Sequence, residues 1–267
     1  MIDENTLESF ANLFKDNRQL EKDYLLNLML KAISLNKISQ SLELKSGTAL
    51  YLFHGLDRFS EDLDFSYMGK KEVLAKIGSL TEPVIHDFSL SYKISKSKGN
   101  VAIKDEKGIS GIRSEFFVEG PLFGKTGKRH KIKLDISTRN DLLMKPEQAT
   151  LVSKYSDIGT ILLYKMPLQE MLAEKLCAIS ERAKARDLYD VYFLLKYKGL
   201  GYEESLVAKK FEKRGEAFTT GHLLSAIGKI SMDLWKEELR YIVPRLPDLG
   251  EVKEFMENAI SGSSNFR

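Results

Sequence analysis

Asp62 and Asp64 stand one residue apart at the end of the stretch LKSGTALYLFHGLDRFSEDLDF, residues 44–65, with Phe65 and Tyr67 following in alternation. That pattern predicts a strand carrying both carboxylates on one face and apolar side chains on the other. Two like charges about 6 Å apart repel by about 3 kcal/mol at an effective dielectric of about 20. A hard divalent cation with oxygen ligands, such as Mg2+, is the simplest group to sit between them. Thirteen residues separate Asp62 from Thr48, the last member of a small-residue turn, Ser46-Gly47-Thr48. The turn should end a short strand (42–45) and start a helix (49–54). Thr48 then falls where a helix N-terminus exposes free N–H groups, an arrangement suited to holding phosphate. Taken singly, an Asp-x-Asp pair and a Gly-Thr turn are ordinary surface features. Their order, turn then helix then loop then acidic strand, points to a metal-and-phosphate site.

A second constellation lies in QEMLAEKLCAISERAKARDLYDVYFLLK, residues 169–196. On one continuous helix Arg182 and Arg186 fall within about 20° of Lys175, with Asp190 about 60° away. A row of cations on one face calls for an anion, and a triphosphate would supply one. The same residues also read as solvated side chains, with Asp187 as the N-cap of a following helix.

Gly47-Thr48, thirteen residues, then Asp62-Leu63-Asp64-Phe65 resembles the signature of polymerase-beta-like nucleotidyltransferases. The longer string SGTALYLFHGLDRFSEDLDF resembles the AbiEii/AbiGii nucleotidyltransferase toxin family, with Ser46 where that family commonly has Gly. KLDIS, residues 133–137, resembles the family's K-x-D motif, and the 169–196 segment its downstream motif. The resemblance implies transfer of a nucleoside monophosphate from an NTP to an RNA acceptor, tRNA being the expected one. It implies a site of two Mg2+ (or Mn2+) ions on Asp62, Asp64 and a third carboxylate, Asp135. Ser46, Gly47 and Thr48 would hold the β/γ-phosphates, with Arg58, Lys175, Arg182 and Arg186 neutralising the triphosphate. Lys175 and one of Asp187 and Asp190 match positions implicated in catalysis. The implied setting is a bacterial toxin–antitoxin or phage-defence pair, with a cognate antitoxin as partner. Two rival readings are a small-molecule adenylyltransferase of the antibiotic-modifying kind and a non-catalytic RNA-binding protein of the same fold. A small acceptor needs no basic surface, and a binding protein needs no filled carboxylate set.

Composition agrees with a packed, soluble chain. Of 267 residues 43% are hydrophobic, enough for a core, and the single cysteine, Cys177, excludes an intrachain disulfide and reads as a buried thiol. An acidic start, MIDENTLESF, and the lack of any apolar run near about 18 residues lead to the expectation of a cytoplasmic protein with no membrane segment. The four histidines are scattered without metal-ligand spacing, so zinc is not supported. Net charge is +3, yet residues 93–133 hold eleven Lys/Arg against four acids. That stretch could attract phosphate, or form solvated hairpin loops.

The expected elements are two helices over 4–37, a helix over 70–80 closed by Glu82-Pro83, and strands over 88–94, 112–118, 130–136 and 160–164. Residues 140–158 read as a loop. Helices follow over 168–180, 188–197, 203–213, 222–239 and 252–260. The fold class is α+β: a nucleotidyltransferase core with a small mixed sheet flanked by helices, then a helical C-terminal region. The expected divisions are 1–37 (helices on the core), 38–165 (core) and 166–267 (helical domain).

Overall fold

The computed structural model describes residues 2–69, 77–105, 108–139 and 141–262. Contacts divide the chain into two units, each built from separated segments. The first holds Met1–Phe53, Ser60–Asn140 and Pro146–Lys165; the second holds His54–Phe59, Asp141–Lys145 and Met166–Arg267.

The first unit is built on a mixed seven-stranded sheet. Its strands are β1 (Leu42–Leu44), β2 (Leu63–Tyr67), β3 (Ile94–Asp105), β4 (Gly108–Val118), β5 (His130–Ser137), β6 (Glu147–Val152) and β7 (Thr160–Lys165), in the order β3-β4-β5-β2-β1-β7-β6. The pairs β2–β5 and β1–β7 are parallel and the rest antiparallel. Alternation does what it predicts: Leu63, Phe65, Ile132, Leu134 and Ile136 are buried on one face. Burying a large apolar side chain stabilises by about 1.5–3 kcal/mol.

Helix α1 (Glu4–Glu8) is capped by the Asp3 carboxylate, which accepts from the Thr6 N–H at 2.8 Å. The long helix α2 (Asn17–Leu35) starts where Asp16 accepts from the Gln19 N–H at 2.8 Å, and it buries Leu20, Tyr24, Leu25, Met29, Leu30 and Ile33. Its buried Glu21 accepts from the Leu122 N–H and pairs with His130 Nε2, both at 2.6 Å, fixing the two ends of the β4–β5 connection and its short helix α5 (Phe123–Thr126).

Three expectations need correction here. Helix α3 (Ser46–His54) begins at the turn itself, not at residue 49. Helix α4 (Ile77–Ser89) runs through Pro83 instead of closing there, while residues 70–76 of the expected helix lie outside the described residues. A proline inside a helix costs about 3 kcal/mol; burial of Thr81, Val84 and Phe88 on either side outweighs it. The expected strand over 88–94 is therefore helical at its start, and β3 begins only at Ile94. The expected loop over 140–158 contains β6, an edge strand whose residues alternate between exposed and half-buried, so it lacks the apolar face that betrays a strand.

The second unit is helical: α6 (Leu168–Arg182), α7 (Ala185–Lys196), α8 (Glu204–Arg214), α9 (Thr220–Gly228), α10 (Met232–Leu239) and α11 (Leu249–Gly262). The single helix expected over 222–239 is two, because Ser231 caps α10 by accepting from the Leu234 N–H at 3.2 Å. Glu170 accepts from the N–H groups of Leu143 and Met144, both at 2.7 Å, and pairs with the fully buried Lys210 at 2.6 Å, so the segment 141–145 belongs to this unit. Cys177 is buried, and burial pushes its thiol up to about 12. Among the described residues no helix is long and apolar enough to cross a membrane.

Among the described residues the non-glycine residues with positive φ are Ser46 (φ 61°) and Ala183 (φ 43°). The left-handed region costs an L-residue about 1–2 kcal/mol, part of which glycine returns as unfolded-state entropy. Ser46→Gly and Ala183→Gly should each raise stability by about 0.5–1 kcal/mol in equilibrium urea unfolding. A loss of stability in either would show that its side chain contributes more than its backbone strain costs.

Candidate active site

The parallel ladder between β2 and β5 sets Leu63 opposite Leu134 and Asp64 opposite Asp135, on strands about 4.8 Å apart. On the far side of β5, β4 sets Arg113 opposite Asp135 and Glu115 opposite Lys133. Arg113, Asp135 and Asp64 thus form a row across three strands, with Asp62 and Lys133 on the same face two residues earlier. Asp135 accepts from Arg113 through both oxygens, Nε to Oδ1 at 2.8 Å and Nη2 to Oδ2 at 2.9 Å. The Lys133 ammonium lies 3.0 Å from Asp135 Oδ2 and 3.6 Å from Asp62 Oδ2. Burial alone would raise the Asp135 carboxyl, but Arg113 and Lys133 outweigh it and hold it below the usual range. Asp64 goes the other way: burial first, then repulsion from Asp62 and Asp135, push its carboxyl up against the pull of Lys45 and Lys133.

This is an oxygen-only donor set of the kind that suits Mg2+ or Mn2+. Beside burial, the upward shift of Asp64 holds a repulsion from Asp62 and Asp135 that a divalent cation would relieve. Among the described residues no three carboxylate, histidine or cysteine groups are gathered as a coordination shell, which accords with Asp135 being turned to Arg113. Asp62 and Asp64 fit a metal as they stand; Asp135 fits as a third ligand once the guanidinium lets go.

The turn before α3 is lashed to this strand. The Lys45 N–H donates to the Asp64 carbonyl at 2.9 Å. The buried Thr48 hydroxyl donates to the Asp62 carbonyl and lies 2.8 Å from Ser60 Oγ. Thr48 therefore positions the acidic strand with its side chain, and what the turn can offer a phosphate is its backbone N–H groups at Ser46 and Gly47. Lys22 of α2, buried, donates to the Lys131 carbonyl; burial lowers its pKa to about 8, with Asp62 and Glu61 opposing.

The second constellation lies in the second unit, and its cations are not waiting for an anion. Ala183, left-handed at φ 43° and ψ 45°, breaks the expected continuous helix, so α6 and α7 are separate and the single face of Lys175, Arg182 and Arg186 does not exist. Lys175 lies 2.9 Å from Asp187 and 2.7 Å from Asp190. Arg58 grips Asp190 with Nε at 2.5 Å and Nη2 at 2.7 Å, and Arg182 grips Asp187 with Nε at 2.7 Å and Nη2 at 3.0 Å. Arg58, Lys175, Asp187 and Asp190 are buried, while Arg182 is half exposed. Asp187 is not an N-cap; Lys184 holds that place, and burial of Asp187 is outweighed by Lys175 and Arg182, which hold its carboxyl far below the usual range. Burial would lower Arg58 and Lys175, yet Asp190 for the one and Asp187 with Asp190 for the other keep both raised. Arg186 stands apart, its backbone N–H 3.2 Å from Glu238 Oε2.

Several cations of the basic stretch over 93–133 are also paired, the side chains of Lys96, Lys98 and Lys104 lying outside the described ones. Lys93 and Arg129 pair with Glu119, Lys125 with Glu4 and Glu8, and Lys131 with Glu115; Lys107 lies outside the described residues. Two residues of the carboxylate face went unassigned in the sequence reading. The K-x-D spacing marks Lys133 as a face-mate of Asp135, whereas Arg113 has no local signal and is found only through strand pairing.

The fold is shared with solved structures. JHP933 from Helicobacter pylori matches with a TM-score of 0.60 and 22% identity over 93% of this chain and 92% of that one. MenT4, a nucleotidyltransferase toxin from Mycobacterium tuberculosis, matches with a TM-score of 0.68 and 16% identity over 100% and 91%. At these identities the likeness shows the fold. No curated protein sequence matches the chain. Residues 28–258 match the family of nucleotidyl transferase AbiEii toxins of type IV toxin–antitoxin systems. The chain belongs to that family and is a nucleotidyltransferase.

A carboxyl whose folded-state pKa is raised stabilises the fold only while protonated. Metal-free protein should therefore lose stability as pH rises from the ordinary carboxylate range through the Asp64 pKa. Asp64→Asn should abolish that loss, leaving the variant at least as stable as wild type at pH 7 in denaturant titrations without metal. Lys175→Ala should do the reverse, since it takes one of two cations from each of two buried carboxylates and leaves them to Arg58 and Arg182: about 1.5–3 kcal/mol of stability should go. A thermal melt showing a loss below about 1 kcal/mol would mean the carboxylates find other partners.

Proposed function

We propose that this protein transfers a nucleoside monophosphate from an NTP to a hydroxyl of an RNA acceptor, tRNA in the cytoplasm, with release of pyrophosphate. The observation that carries the reading is the β2–β5 register, which sets Asp64 beside Asp135 with Asp62 on the same face. Asp62 and Asp64 would hold the divalent ions, Mg2+ or Mn2+, with Asp135 completing the set. The metal, when bound, supplies Lewis-acid polarisation of the phosphoryl group and neutralises developing charge. Asp135 orients the acceptor hydroxyl and takes its proton. Backbone N–H groups of Ser46 and Gly47 at the start of α3 hold the β/γ-phosphates, with Thr48 fixing the turn against the acidic strand.

Within the second unit, Lys175 is assigned to phosphate charge in the nucleotide-bound protein, where it would leave Asp187 and Asp190 to Arg182 and Arg58. Arg58 and Arg182 hold those two carboxylates in place, and half-exposed Arg182 and Arg186 keep reach toward solvent anions. A cognate antitoxin completes the setting, as the family's toxin–antitoxin context suggests.

The test is incubation with each α-labelled NTP, Mg2+ and total bacterial RNA, resolved on a gel. Label should enter an RNA band of tRNA size, with one NTP preferred. Asp62→Ala and Asp64→Ala should cut transfer by on the order of a thousandfold while melting no lower than wild type. RNA left unlabelled by all four NTPs, or labelled equally by the variants, would overturn the proposal.

A further inference from the structure

The carboxylate face already holds two cations, and they stand where a metal would compete. Lys133 is within 3.6 Å of Asp62 and 3.0 Å of Asp135, so its ammonium lies between two of the three acids. Arg113 occupies both oxygens of Asp135, directly across the ladder from it. Asp62 and Asp135 thus share Lys133, Arg113 serves Asp135, and Lys45 and Lys133 act on Asp64. Three of the roughly four lone-pair sites of Asp135 are taken, and a divalent ion approaching these oxygens repels both cations at contact distance, so metal and cations compete for the same acids. Both side chains can move: Arg113 is 43% exposed and Lys133 23%. Once displaced they are cations needing an anion, and Arg113 presents a planar fork that matches two phosphate oxygens.

Resting on the reading of Asp62 and Asp64 as metal ligands, we infer that Arg113 and Lys133 hold the metal's place in the free protein. On metal binding they pass to the phosphates of the incoming nucleotide. Metal alone then binds weakly, nucleotide and metal bind as a coupled pair, and the coupling is reciprocal. Lys133 and Arg113 become nucleotide-binding residues, recruited only when the metal is present.

Arg113→Gln and Lys133→Gln, made separately, test this with two probes. The first is Mn2+ alone, followed by the loss of its free-ion resonance. The second is a fluorescent, non-transferable α,β-methylene nucleoside triphosphate at saturating Mn2+, using whichever base wild type binds most tightly. Each variant should bind Mn2+ alone about three- to tenfold more tightly and the analogue about three- to tenfold more weakly. Opposite signs are the signature, since a purely structural pair would move both affinities the same way or neither. Mn2+ bound no more tightly by either variant overturns the inference, as does an unchanged analogue affinity in both. Should one variant fail to melt cooperatively, the other decides. An Asp64→Asn control separates the two levels. If it binds Mn2+ as wild type does, the metal-site reading itself has failed; if it loses Mn2+ while the Gln variants behave as wild type, only the present inference has.

Discussion

Side chains on a strand alternate faces, so the site exists only while β2 and β5 keep their register. A slip of one residue would turn Asp64 into the core and Phe65 out to solvent. The acids cannot enforce that register, because they repel one another by about 3 kcal/mol per close pair. The opposite face can. Leu63, Phe65, Ile132, Leu134 and Ile136 are all buried beneath it, each stabilising by about 1.5–3 kcal/mol. Their sum, about 7–15 kcal/mol, exceeds the repulsion of about 6 kcal/mol from the two close pairs at Asp64, which is why an arrangement unfavourable in itself can persist. The chemistry sits on one side of the sheet and the energy that holds it on the other.

The two units handle charge in opposite ways. On the sheet the Asp64 carboxyl is raised, by burial first and then by its neighbours Asp62 and Asp135. In the helical unit Arg58, Lys175 and Arg182 more than balance Asp187 and Asp190, and Asp187 is lowered. A raised carboxyl is a group ready to take a cation; a lowered one is already served. The first arrangement suits a ligand that comes and goes, the second a permanent brace whose removal costs more than its presence contributes.

Much of the site was legible because its signals are local. The Asp-x-Asp alternation, the Gly-Thr turn and the Lys-x-Asp strand each declare a face within a few residues, and the helices of the second half declare themselves by period. What escaped detection depended on distance or on exceptions. Arg113 meets Asp135 only through strand pairing. The break between α6 and α7 falls on an alanine in a conformation where glycine is the usual sign. Strand β6 lies at an edge and carries no apolar stripe, and Pro83 sits inside a helix because its neighbours are buried. The cation row had the wrong geometry: Lys175 and Arg182 meet at Asp187, with Asp190 beside it, while Arg186 stands apart.

The second unit borrows residues 54–59 from the middle of the first. Asp57 accepts from the Tyr189 hydroxyl at 2.6 Å and Arg58 grips Asp190, each pair 132 residues apart along the chain. On the ribosome, at about 5–20 residues per second, Arg58 emerges roughly 7–26 s before its partner. By the time Asp190 is made, the last strand of the sheet, ending at Lys165, has already been synthesised. The acidic strand can therefore be in place while the guanidinium just upstream still lacks its carboxylate. The two units are finished at different moments of one chain's synthesis.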